Sequence, residues 1–268
     1  MGEAVWDLRE HRSFWLDWFG PFSREIGCSK SWFTDSSNVF LSTIEHSISN
    51  RQPCYMSVQP FRARDVVFGL EKVFFDFDSK TKHPDLKETF MEVRGLTERL
   101  REHFDAEPLV VRTWRGFHVY VFLRNVVELD IGRENSCELI YRLLQYKMLE
   151  RVPHSTLNTR CLGNLKQLAR VPYSLHEAGV KCLPVDFDGQ PILIDDLSEY
   201  RERGINQGLF RQIVEKIEDN RTLKVSARTK PPSDLGEAEA LLPRSFFRSS
   251  MIYSRSRKPP LRSSSTRA

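Results

Sequence analysis

From Leu70 to Asp78 the chain carries an apolar run, Val73, Phe74, Phe75 and Phe77, that ends at Ser79-Lys80. Such a run reads as a buried strand. Side chains alternate along a strand, so Phe75 and Phe77 project to one face while Asp76 and Asp78 project together to the other. Two acids therefore stand side by side at the end of a strand set among phenylalanines. They repel each other and are poorly solvated there. A divalent cation removes the conflict, and Mg²⁺ or Mn²⁺, which favour carboxylate oxygens, suits the pair. The competing reading is a simple turn cap, because short acidic motifs also arise by chance.

Around this strand the apolar pattern predicts a mixed α and β body. Trp6, Phe14, Trp15, Trp18 and Phe19 recur at helical spacing near the start, and Ser36-Ser37-Asn38-Val39 opens a helix that runs to about Ser49. Pro84 opens another, with Leu86, Phe90, Val93, Leu96 and Leu100 on one face. Leu109–Val111 and Val119–Leu123 form a hairpin about Arg115-Gly116. Cys137–Leu149 is helical, Val180–Ile194 holds one or two short strands around an Asp188-Gly189 turn, and Leu209–Ile217 is a last amphipathic helix.

Two further stretches bear on the acids. In Arg115-Gly116-Phe117-His118 the glycine permits a close turn, and His118 then begins a strand whose alternate residues are Tyr120 and Phe122. If that strand neighbours the acidic one, His118 reaches the same pocket and can donate to a phosphate oxygen. In Arg170-Val171-Pro172-Tyr173-Ser174-Leu175-His176 the arginine is a permanent cation suited to bidentate phosphate contact, Pro172 fixes the backbone, and Ser174 and His176 follow on alternate positions. Paired carboxylates, a histidine and an arginine describe a site that holds metal ions against a nucleoside triphosphate. Aspartate-nucleophile phosphatases want Thr or Val where this chain has Lys80, and a sugar-transferring Asp-x-Asp site has no use for the other two stretches.

In the order and chemistry of these stretches, residues 50 to 195 resemble the archaeo-eukaryotic primase superfamily, the small catalytic subunits of primase and the primase-polymerases. The resemblance matches the family's metal-binding acids to Asp76 and Asp78. Its small-residue, glycine and histidine motif falls on Thr113 to His118, with Trp114 replacing a smaller residue, and its triphosphate-binding string falls on Arg170 to His176. It implies an α+β primase core in which an RRM-like sheet packs on a second α/β unit. It further implies template-directed joining of nucleotides with Mg²⁺ or Mn²⁺ as cofactor, Asp76, Asp78 and His118 being catalytic and Thr113, Arg115, Arg170, Ser174 and His176 binding nucleotide. Where the family's third metal-site carboxylate belongs, this chain has Asn158, and a second usual acid is Asn164. An amide lends only a carbonyl oxygen to a cation, so metal affinity should fall. Asp186 and Asp188 are the acids that a neighbouring strand offers instead.

Residues 1–222 are read as one catalytic domain and 223–268 as a largely disordered basic tail. From Lys224 onward ten Lys or Arg face three acids, so the +4 charge of the whole chain hides a mildly acidic body. Arg255, Arg257, Lys258 and Arg262 in this tail are the expected contacts to the phosphates of a single-stranded DNA template. A primase large subunit or a helicase is the further partner that the resemblance implies. The five scattered cysteines form no close pairs of the kind a zinc site needs. No apolar run reaches the ~20 residues of a membrane helix, and the first ten residues lack an export pattern, so a cytoplasmic chain is expected. The different-class alternative is an accessory primase-like subunit that binds nucleic acid or a partner primase without catalysis. A third reading is an RRM-like module that stacks single-stranded bases without metal or nucleotide.

Overall fold

A computed structural model describes residues 10–28, 31–81, 86–129, 134–176 and 178–226. Its elements follow the order α1 (Arg12–Phe19), β1 (Arg24–Gly27), β2 (Ser31–Thr34), α2 (Ser37–Ser49), β3 (Tyr55–Ser57), β4 (Phe61–Ala63), β5 (Val66–Val67), β6 (Gly69–Asp78) and α3 (Leu86–Phe104). Then come β7 (Leu109–Arg112), β8 (Gly116–Glu128), α4 (Glu134–Met148), a 3₁₀ turn at Thr159–Cys161, β9 (Leu168–Arg170), β10 (Leu183–Val185), α5 (Ser198–Glu202) and α6 (Gln207–Ser226).

The apolar strand β6 lies along β8, antiparallel from Asp78 opposite Gly116 to Gly69 opposite Glu128, with one irregularity between Leu70 and Lys72. β7 and then β10 extend the sheet beyond β8, giving the order β10-β7-β8-β6. The free edge of β6 is closed by a short returning segment. Leu157 bridges to Phe77, Asp78 N donates to the Thr156 carbonyl at 2.9 Å, and Asn158 N donates to the Asp76 carbonyl at 2.8 Å. The path β6–α3–β7–β8–α4 thus comes back alongside the strand from which it left.

The two faces of this sheet differ. Val73, Phe75 and Phe77 stand opposite Val121, Val119 and Phe117, on the face where Phe90 of α3 meets Phe117 at 5.5 Å. Lys72, Phe74 and Asp76 stand opposite Phe122, Tyr120 and His118, and Trp18 of α1 packs edge-on against Tyr120 at 4.9 Å. A second sheet, in the order β2-β1-β3-β9, is tied to this side. Trp15 Nε1 donates to the Pro172 carbonyl at 2.9 Å, and Arg24 of β1 forms an ion pair with Glu71 of β6. Lys72 Nζ also reaches Glu71, at 3.0 Å, and lies over the ring of Trp18 at 4.8 Å. Arg24, Glu71 and Lys72 are all almost fully buried, a charged cluster sealed between the two sheets. Burial lowers the Lys72 pKa to about 7, although Glu71 opposes the shift.

The long elements follow the sequence expectations, and two of them run further than expected. β8 continues to Glu128, well past Leu123. Val180–Ile194 holds one short strand, β10, as expected, and its Val185 bridges to Pro191 across the Asp188-Gly189 turn. The last helix extends from Gln207 to Ser226, beyond the expected Leu209–Ile217 at both ends. Trp6, Pro84 and everything after Ser226 lie outside the described residues. The cysteines are free, four of the five buried, and no described helix is long and apolar enough to cross a membrane.

Candidate active site

Antiparallel pairing of β6 with β8 sets His118 directly opposite Asp76 and Gly116 opposite Asp78. His118 Nε2 is 3.4 Å from Asp76 Oδ1. The register depends on Gly116, because a Cβ there would stand 1.7 Å from the Phe77 carbonyl oxygen. Thr113 closes the turn: its N–H donates to the Gly116 carbonyl at 2.8 Å, and its buried hydroxyl accepts from Gly116 N at 3.2 Å. Arg115 folds over the end of β6 and donates to the Ser79 carbonyl at 2.9 Å.

The second sheet supplies the opposing cation. Arg170 ends β9 and pairs with Tyr55 of β3. Its guanidinium lies 5.3 Å from the Tyr55 ring centre and donates to the Tyr55 hydroxyl at 3.1 Å. Tyr120 joins the two sheets: its hydroxyl is 3.2 Å from His118 Nδ1 and 3.5 Å from the Arg170 carbonyl. After Arg170 the chain turns sharply at Tyr173, whose φ is 63°. The fully buried Ser174 gives its hydroxyl proton to the Val171 carbonyl at 2.6 Å, so this residue holds the turn. Cys182 N then donates to the Ser174 carbonyl at 2.9 Å and His176 N to the Val180 carbonyl at 2.8 Å, which makes a small hairpin. It carries His176 to 5.2 Å from Trp114, at the tip of the β7–β8 turn. All three stretches singled out in the sequence meet here.

The electrostatics follow from burial. Burial raises the Asp76 pKa, opposed by a hydrogen bond from Asn158 and by the charge of Arg170. Asp78 is raised by burial and next by Asp76, while His118, Arg115 and Arg170 pull it down. Burial, and then Arg170, lowers the His118 pKa to about 3, so its imidazole is neutral near pH 7. Desolvated, mutually repelling carboxylates suit a hard divalent cation, and on that test Asp76 and Asp78 fit one.

Asn158 does point into this cluster. Its Nδ2 donates to Asp76 Oδ2 at 2.9 Å, while its Oδ1 accepts from Arg160 N at 3.2 Å. Among the described residues, no acid takes its place. Asn164 bonds within its own loop, to Gln167 Oε1 and from Lys166 N, both at 3.0 Å. Asp186 accepts from Asp188 N and Gln190 N in its own turn, beyond β10 at the far edge of the sheet from β6. Among the described residues, no three His, Cys, Asp or Glu side chains form a metal cage.

Sequence reasoning missed Tyr55, which carries no local signal, and Glu92. The Glu92 carboxylate accepts from Ser155 N at 2.7 Å and Thr156 N at 2.9 Å, and from both hydroxyls at 2.7 and 2.6 Å. It thereby pins the segment that presents Asn158. Arg255, Arg257, Lys258 and Arg262 lie outside the described residues.

No family model matches the sequence, and no curated protein matches it either. Solved structures similar to the chain include the following three. The AEP domain of the cyanophage S-2L primase-polymerase has 13% identity over 69% of this chain and 90% of that one, with a TM-score of 0.43. The polymerase domain of Mycobacterium tuberculosis Ligase D in complex with DNA has 11% identity over 84% and 92%, with a TM-score of 0.45. Primase RepB′ has 14% identity over 82% and 65%, with a TM-score of 0.41.

Proposed function

We propose that this chain is a primase-type nucleotidyltransferase, which binds a nucleoside triphosphate with a divalent cation and joins nucleotides on a single-stranded DNA template. One observation carries the reading: Asp76 and His118 face each other on one sheet beside Asp78, and Arg170 from the other sheet lies near enough for its charge to act on all three. Asp76 and Asp78 would hold Mg²⁺ or Mn²⁺. When bound, such a cation would neutralise phosphate charge. Arg170, set over Tyr55, offers charge-assisted donors to phosphate oxygens. The neutral His118 offers one N–H without adding charge. Arg115, Trp114 and His176 line the rim, where the sugar and base of the nucleotide would lie.

The returning path β6–α3–β7–β8–α4 and its closing segment support the RRM-like sheet of a primase core, with the second sheet as the packed α/β unit. On this reading the body ends near 222, and the basic tail, through Arg255, Arg257, Lys258 and Arg262, follows template phosphates. A large subunit or helicase would deliver the template in the cytoplasm. The test is primer extension by the purified protein with Mg²⁺ or Mn²⁺. Incorporation is expected, and Asp76→Ala should abolish it; incorporation that survives this change overturns the reading.

A second reading is favoured by the amide at Asn158, which takes the place of a third acid beside Asp76. It is a non-catalytic accessory subunit that binds nucleic acid or a partner primase. Binding of single-stranded DNA without extension, and without rescue by Asn158→Asp, is its expected signature.

A further inference from the structure

The pocket offers a cation four carboxylate oxygens, and both of those on Asp76 are already faced by protein nitrogen. Asn158 Nδ2 donates to Oδ2 at 2.9 Å, and His118 Nε2 stands 3.4 Å from Oδ1. The Asn158 amide is not free to turn its oxygen inward. Its Oδ1 is held by Arg160 N, its backbone N–H is fixed to the Asp76 carbonyl at 2.8 Å, and Glu92 anchors the residues just before it. A flipped amide would set its NH₂ against the Arg160 N–H, donor facing donor. By contrast, no hydrogen bond among the described residues reaches the Asp78 carboxylate.

Charge leads to the same count. Before nucleotide binds, two carboxylates balance one divalent ion, whereas a pair of ions would leave a net positive charge among largely buried groups that include Arg170. Paired-ion sites set their metals roughly 3.5–4 Å apart, and with an N–H turned inward at 158 this pocket lacks a third anionic group to hold the second.

We infer that the pocket takes one divalent cation, anchored on Asp78 with a single oxygen of Asp76, and that Asn158 is the residue that excludes a second. The inference rests on the pocket being a cation–triphosphate site. A single ion held this way would sit with the triphosphate and leave the attacking hydroxyl without one of its own.

Counting Mn²⁺ bound to the full chain by electron paramagnetic resonance tests this. The wild type should take up one equivalent, Asp78→Asn should bind it at least about tenfold more weakly, a loss of roughly 1.4 kcal/mol, and Asn158→Asp should take up two. Two equivalents of similar affinity in the wild type would overturn the inference and leave the triphosphate reading standing, as would a count of one in a folded Asn158→Asp protein. If that variant does not fold, the wild-type count decides alone. No uptake of Mn²⁺ by the wild type would overturn both.

Discussion

Gly116 is where the meeting of acids and histidine is decided. A methyl group there would overlap the Phe77 carbonyl, which is backbone and cannot rotate away, so β6 and β8 would have to part. Overpacking of this kind costs about 1–3 kcal/mol, and here the upper end is expected because backbone must move. Gly116→Ala should lower the urea midpoint accordingly and weaken nucleotide binding with it. Lys72 gives a different prediction at the same scale. Its folded pKa of about 7 lies below the unfolded value near 10.4. The unfolded chain thus binds more protons between these limits, and this group makes stability rise with pH across that window. Below pH 7 its charge burdens the fold in full. Lys72→Met removes the dependence, so wild type minus variant stability should increase by up to about 3 kcal/mol from pH 7 to 9.5, read from paired urea titrations.

Among the elements, the segment from Ser155 to Asn158 matters out of proportion to its length. It closes the edge of β6 through two backbone bonds that flank the acids, and Glu92 of α3 holds it in place. Glu92→Ala should speed hydrogen exchange at the amides of Asp78 and Asn158 by about tenfold or more, the loss of a buried acceptor being worth ~1–3 kcal/mol. Amides of β7 should be unchanged. Burial alone would raise the Glu92 pKa, yet its bonds to Thr156 and Ser155 lower it overall. Its contribution is therefore complete above the usual glutamate range and is lost as pH falls through the depressed value. None of this was legible in the sequence, because Glu92 and Thr156 are 64 residues apart and neither belongs to a motif. The longer elements were legible because each buries a face with its own period: α2, α3, α4, β6 and the β7–β8 hairpin. The strands β1, β3 and β9 have only three or four residues and are defined by distant partners such as Tyr55 and Arg170. The residues that come together here were readable because Asp76-Phe77-Asp78, Gly116-Phe117-His118 and Arg170-Val171-Pro172 each form a pattern within a few residues. Tyr55, which orients Arg170, was not.

For the whole molecule, the pocket is a seam between two sheets. A ligand that grips Arg170 on one and the acids on the other should brace them together. With nucleotide and Mg²⁺ at ~100 times Kd, linkage supplies about 2.7 kcal/mol, which for a body of this size raises Tm by roughly 5–10 °C. Arg170→Ala should remove most of that rise and cut affinity about tenfold to a hundredfold, since hydrogen bonds to charged groups are worth ~1.5–3 kcal/mol. Differential scanning fluorimetry with and without nucleotide reads both.

At the rim, the Trp114 indole is 38% exposed and tilted against His176. The molecule thereby carries its own optical reporter at the mouth of the pocket. An arriving base would strip water from that indole, and the emission lost on replacing Trp114 with Phe would be the share that follows occupancy.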